Sequence, residues 1–187
     1  MSLRNPLALF AILALVLATS ACTPKAEGLK DGDCGDDVDN DKDGSADCAD
    51  SDCESDRSCQ EQSQAQELTR MRSSVRSNLN AIRTAQKSYH HEWDAFTSAA
   101  ATPATGTGKN AMDFTGGGYS AFRNFGWTPD GQVHCQYAVE AKNTAAAATD
   151  DFSITATCDL DGDGTESQIT ASRHEEAKLV TAENVCV

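Results

Sequence analysis

Residues 31 to 59 limit this chain most, because they cannot fold around a hydrophobic core. The stretch holds twelve acidic residues and four cysteines, and Val38 is its one aliphatic residue larger than alanine. So little apolar surface cannot offset the conformational entropy lost on folding. Order there must come from cross-links and bound metal, the staples of small core-poor domains.

The spacing of the acids names the metal. Asp39-Asn40-Asp41-Lys42-Asp43-Gly44-Ser45-Ala46-Asp47-Cys48-Ala49-Asp50 puts carboxylates at positions 1, 3, 5, 9 and 12, with glycine at position 6. Calcium takes about six to eight hard oxygens, and one loop with this spacing can wrap them around one ion. Asp39, Asp41, Asp43, Asp47 and Asp50 are the side-chain ligand candidates, and Ser45 would add its backbone carbonyl. Aspartate at position 12 reaches less far than the usual glutamate. A disordered acidic linker is the competing reading; the four cysteines and the well-placed glycine count against it. Zinc fits poorly, since oxidised cysteines are not ligands and no histidine lies nearby.

No helices flank the loop, so it is not an EF-hand. It resembles the calcium-binding thrombospondin type 3 repeat, DxDxDGxxDxxD. Asp31 to Cys53 is also similar to an Asp/Cys motif of exported lipoproteins in myxobacteria and related bacteria. That resemblance implies that Cys34, Cys48, Cys53 and Cys59 are disulfide staples. Four cysteines allow three pairings, and the sequence leaves them open.

The first 21 residues read as a targeting segment: Arg4 supplies positive charge, and Leu7 to Leu17 form an apolar run too short to span a bilayer. Ala18-Thr19-Ser20-Ala21-Cys22 resembles the lipobox of bacterial lipoproteins, which implies lipidation of Cys22 and a membrane anchor, with residues 22 to 30 as tether. Thr19 stands where leucine is usual, and small residues at 19 and 21 also suit ordinary signal cleavage. Parity enters here. Eight cysteines can form four bridges; with Cys22 lipidated, seven remain and one is left over.

Export suits disulfides. The net charge of −14 becomes −15 once Arg4 is removed, which argues against nucleic-acid partners and against electrostatic adhesion to anionic lipid. It suits divalent cations.

From Glu61 to about Glu92 the pattern turns helical. Leu68, Met71, Val75, Leu79, Ile82, Tyr89 and Trp93 recur at three- and four-residue steps, with Ala85 between, on a stretch without glycine or proline. Arg70, Arg72, Arg76, Arg83 and Lys87 make a basic opposite face, either solvated or set against the acidic block. Residues 97 to 118 read as a long irregular connection ending in Gly116-Gly117-Gly118. Strand-like segments follow at Val133 to Ala141, Phe152 to Cys158 and Gln168 to Ser172, and turns of hairpin length join them. Trp93, Phe96, Trp127 and Tyr137 read as core. Cys135 and Cys158, on neighbouring predicted strands, can bridge; Cys186 can pair with either instead. Asp159, Asp161 and Asp163 repeat the first half of the calcium pattern, but position 12 is Thr170. That cluster reads as an Asp/Gly hairpin turn, with a weaker metal site as the alternative.

Ser77-Asn78-Leu79-Asn80-Ala81-Ile82-Arg83-Thr84-Ala85-Gln86-Lys87-Ser88-Tyr89 resembles the C-terminal half of the long helix in type IV pilins. Phe125-Gly126-Trp127-Thr128-Pro129-Asp130-Gly131 is similar to a turn of the same family. The resemblance covers about residues 62 to 187 and implies a pilin-like head. The processing site and hydrophobic first helical half of a working pilin are absent, so the implied role is binding a pilus, a pseudopilus or another envelope protein.

The expected fold is α+β, a long amphipathic helix on about four antiparallel strands over residues 61 to 187, behind the Asp/Cys module. The expected function is a non-enzymatic lipoprotein of the outer membrane or cell surface, with a Ca2+-ordered spacer presenting that head. A soluble calcium-dependent adhesin, secreted or periplasmic, is the alternative. No nucleophile-elbow, HExxH or phosphate-loop pattern is present, so neither catalysis nor a small-molecule substrate is expected. His90 and His91, beside Glu92 and Asp94, read as polar helix-end residues, and His134 and His174 as isolated.

Overall fold

Two crossed disulfides stand in for a core in the first unit of the chain, which ends at Gln60. The computed structural model describes residues 26–104, 108–146 and 149–180. Cys34 is bonded to Cys53 and Cys48 to Cys59, so the two covalent loops overlap along the chain. Cys34, Cys53 and Cys59 form the buried apolar cluster of this unit. Short 3-10 turns at Asp33–Gly35, Asp47–Ala49 and Ser51–Cys53 bring the half-cystines together. A bridge of this kind typically contributes about 2–4 kcal/mol by restricting the unfolded chain. The unit also takes in residues read as tether. Glu27 is 2% exposed, and a side chain at Gly28 would come within 3.0 Å of Cys34 Sγ.

Helix α1 covers Arg57–Trp93. It starts earlier than its apolar stripe because Asp56 caps it. The Ser58 hydroxyl and N–H donate to Asp56 Oδ1 at 2.5 and 2.8 Å, and together they hold that carboxyl below its ordinary range. It ends at Asp94, which adopts φ +51° and donates its N–H to His90 O.

The second unit, from Glu61 onward, packs α1 on a five-stranded antiparallel sheet in the order β1-β2-β3-β4-β5. The strands are β1 Ala99–Thr102, β2 Cys135–Lys142, β3 Asp151–Cys158, β4 Ser167–Ser172 and β5 Lys178–Leu179. Alternation assigns the inner face: Cys135, Tyr137 and Val139 of β2 and Phe152, Ile154, Ala156 and Cys158 of β3 are buried. Met71, Val75, Leu79 and Ile82 of α1 join them in one core. Cys135 and Cys158 lie directly opposite each other in the β2–β3 register and are disulfide-bonded. Gln86, fully buried on the apolar stripe, bonds both the N–H and the carbonyl of Thr97.

Two expectations are corrected. Trp93 belongs to the periodic stripe but is 63% exposed. The chain reverses at Asp94, and Phe96 takes the core position instead, its ring 4.3 Å from His90 and 4.7 Å from Phe152. The stretch from 97 to 118 is not wholly irregular, since it contains β1. Ala-Ala-Ala-Thr has no side-chain signal for a strand; pairing with β2 makes it one. The glycine run then lies close over it. A Cβ on Gly118 would sit 2.5 Å from the backbone N and O of Ala100, and the Gly118 N–H donates to the buried Thr102 hydroxyl at 2.7 Å. Helix α2, Tyr119–Asn124, follows. Its Phe122 joins Phe114, Trp127 and Tyr137 in an aromatic cluster.

Gly118→Ala is expected to destabilise this unit by about 1–3 kcal/mol, because the methyl must displace backbone rather than a movable side chain; chemical unfolding followed by tryptophan fluorescence measures it. Burial raises the Tyr137 phenol to about 12, although the hydrogen bond from Asn78 opposes the shift. The neutral phenol's contribution to stability is therefore complete below the ordinary value of 10.0 and is lost as pH rises from there through about 12. Tyr137→Phe is expected to abolish that part of the alkaline stability loss, together with a tyrosinate absorbance component titrating at the same pH.

Candidate cation centre

The loop from Asp39 to Asp50 is organised by its own backbone donors. Asp39 accepts from the N–H of Lys42 through Oδ1 at 2.5 Å and from that of Gly44 through Oδ2 at 3.1 Å. Asp41 Oδ1 accepts from Asp43 N–H at 3.0 Å, and Asp43 Oδ1 from Ser45 N–H at 2.8 Å. Gly44 at φ +103° permits the reversal that turns its N–H back onto Asp39. In consequence Asp39, Asp41 and Asp43 each present a carboxylate oxygen within 4.8 Å of the others. Oxygens on opposite sides of one calcium ion, at about 2.4 Å each, stand about 4.8 Å apart.

Asp50, at position 12, is 3% exposed. Its Oδ1 accepts from Asp52 N–H at 2.7 Å, while its Oδ2 is buried with no hydrogen-bond partner among the described residues. It meets Asp41 in a second group, whose third member is Glu27. Asp47 lies outside both groups; its carboxylate accepts from the N–H groups of Asp36 and Asp37 at 2.9 to 3.2 Å. Ser45 is half-buried and contributes the N–H that orients Asp43.

The Asp43 N–H pulls the Asp41 carboxyl down. Desolvation and the like charges of Asp43, Asp50 and Asp39 together outweigh it, so the group sits above the ordinary carboxylate value. Acidic groups gathered this closely favour a proton or a metal ion between them.

Between β3 and β4, Asp159, Asp161 and Asp163 also come within 4.8 Å of one another. The wiring repeats that of the first loop: Asp159 accepts from the N–H groups of Gly162 and Gly164, Asp161 from Asp163, and Asp163 from Thr165. Position 12 is Thr170, inside β4. An Asx-turned hairpin accounts for this loop without an ion.

The histidines do not form a cluster with Glu92 and Asp94. His90 stacks on Phe96, and its Nε2 lies 3.6 Å from Asp150 Oδ2. Hydrogen bonding from the Thr144 N–H, and then from its hydroxyl, outweighs burial and holds Asp150 below the ordinary carboxylate range. His134 Nδ1 meets the Lys109 carbonyl at 3.0 Å. Arg83 of the basic face donates to the carbonyls of Ser172 and Arg173, and Arg70 pairs with Glu67. A cavity of about 140 Å³ beside Arg72 and Arg76 is walled by Leu68, Leu160, Ile169 and Leu179.

Comparison with protein families, with curated proteins and with solved structures returns no match for this chain. Among the described residues, no helix is long and apolar enough to cross a membrane. Cys22 and Cys186 lie outside the described residues.

Glu27 is the residue that the motif does not announce. It stands twelve positions before Asp39, outside any ligand spacing. A lone glutamate next to a glycine at the edge of an acidic block is a weak sign, and only its burial reveals it.

Proposed function

We propose that this is an exported, non-enzymatic envelope protein whose Asp/Cys module binds Ca2+ and whose second unit is a pilin-like interaction head. The observation that carries the reading is the convergence of Asp39, Asp41 and Asp43 within 4.8 Å in a unit stapled by disulfides. Hard oxygen ligands at these positions suit calcium, and with no core to hold the loop, the ion supplies order. Magnesium suits the loop less, because it retains water and demands octahedral geometry.

The lipobox-like run at Cys22 supports anchoring at the outer membrane or cell surface. The pilin-like head is supported by residues 77 to 89, which lie within α1, and by the 125–131 turn, both in a unit that packs one long helix on an antiparallel sheet. Its partner would then be a pilus, a pseudopilus or another envelope protein.

The disulfides sharpen the alternative of a soluble, secreted calcium-dependent binding module. Six of the eight cysteines pair among themselves, which leaves Cys22 and Cys186. Lipidation of Cys22 leaves Cys186 either free or paired between molecules; ordinary cleavage leaves the two available to each other. Alkylation and mass spectrometry of the exported protein separate these cases.

Calorimetric titration of the oxidised protein with calcium is expected to show binding with a dissociation constant of about 10⁻⁶–10⁻³ M. The binding should disappear from the module in the Asp41→Ala, Asp43→Ala double variant. Equal binding by both proteins would reduce residues 31 to 59 to an acidic, disulfide-linked stalk.

A further inference from the structure

Glu27, Asp41 and Asp50 form a second group, which shares Asp41 with the loop group. Glu27 and Asp50 are 2% and 3% exposed, and each of the three residues offers an oxygen within 4.8 Å of the other two. Glu27 comes from outside the twelve-residue motif. It reaches the group because Oε2 accepts from Asn40 N–H at 3.1 Å and Oε1 from Asp47 N–H. It thereby joins the second and ninth positions of the loop.

Among the described residues, these three carboxylates accept hydrogen bonds from neutral backbone N–H groups: Asn40 and Asp47 to Glu27, Asp43 to Asp41, and Asp52 to Asp50. None of these contacts brings a positive charge. Asp50 Oδ2 accepts no hydrogen bond from the described residues, although it is buried. A buried carboxylate oxygen with neither donor nor counter-ion is costly, and two further carboxylates beside it add repulsion. A small hard cation removes both penalties at once.

The two groups share Asp41 and nothing else. Asp39 and Asp43 complete one group, Glu27 and Asp50 the other. A carboxylate has two oxygens and can serve an ion on each side. We infer that Glu27, Asp41 and Asp50 hold a second, buried divalent cation, next to the loop ion and distinct from it. Glu27 ties the segment before the motif to that ion. The inference rests on the calcium reading above, and it extends that reading to a ligand the motif does not contain.

The test counts ions by native mass spectrometry of the oxidised protein, equilibrated with calcium, in the wild type and in Glu27→Gln, Asp50→Asn and Asp39→Asn variants. Glu27→Gln and Asp50→Asn are each expected to lose one ion per chain relative to wild type, the same one, so that the double variant loses no more than either alone. Asp39→Asn is expected to lose a different ion, and combining it with Glu27→Gln removes two. Glu27→Asp, which keeps the charge on a shorter arm, should retain the count with weaker binding, and intact disulfides in each variant are checked by the absence of free thiols. An unchanged count in both Glu27→Gln and Asp50→Asn would overturn the second site. So would a single ion lost alike by all three single variants and by their combinations. If neither Asp39→Asn nor Glu27→Gln changes the count, the calcium reading itself fails.

Discussion

Mutual repulsion between carboxylates is the constraint on which the first unit depends. Disulfides bring Cys34 to Cys53 and Cys48 to Cys59, and backbone N–H groups turn Asp39, Asp41 and Asp43 inward. Neither device neutralises the charge it gathers. A hydrophobic core normally supplies the surplus that such strain consumes, but here the buried apolar cluster is three half-cystines. The covalent frame and the cation are complementary for that reason. The bridges limit how far the unit can expand, and a bound cation would make the contracted state favourable.

The second unit is built on the opposite principle. Its core runs from Met71 through the aromatic cluster to Ile169, and its tightest constraint is steric, where Gly117 and Gly118 lie against the backbone of Ala101 and Ala100. Its acidic hairpin loop shares the wiring of the calcium-type loop, yet it sits between two paired strands that hold its ends in register. The same Asx-turn chemistry thus gathers three carboxylates in both places, within a hairpin reversal in one and within the disulfide-stapled unit in the other. Asp50 makes the difference: it closes the first loop with a buried, unpartnered oxygen, whereas Thr170 occupies the corresponding place in the second.

Periodic features were legible in the sequence, and features made by contact were not. The alternation of Phe152, Ile154 and Ala156 marked β3 to within a residue, and the three- and four-residue steps from Leu68 to Ile82 marked the buried face of α1. Local pattern cannot show where a stripe leaves the core: both Trp93 and Phe96 read as core, but only Phe96, past the reversal at Asp94, is buried. Strand β1 is three alanines and a threonine, and β5 is two residues long; both exist through pairing with β2 and β4. In the cation centre, spacing identified Asp39, Asp41, Asp43 and Asp50, all of which the structure brings into one group or the other. It also placed Asp47 among the ligands, whereas that carboxylate bonds the backbone at Asp36 and Asp37. Glu27 lay beyond sequence reasoning, since its partners Asn40 and Asp47 are 13 and 20 residues away.

The central claim is that a cation orders the first unit and that the second does not need it. Backbone hydrogen exchange, compared residue by residue in calcium and in excess chelator with disulfides intact, tests it most directly. The account predicts that protection across residues 26 to 56 falls sharply on chelation, with the loop N–H groups of Lys42, Gly44 and Ser45 affected most, while β2, β3 and β4 keep theirs. Unchanged protection in the first unit, or a loss that extends equally through the sheet, would contradict it.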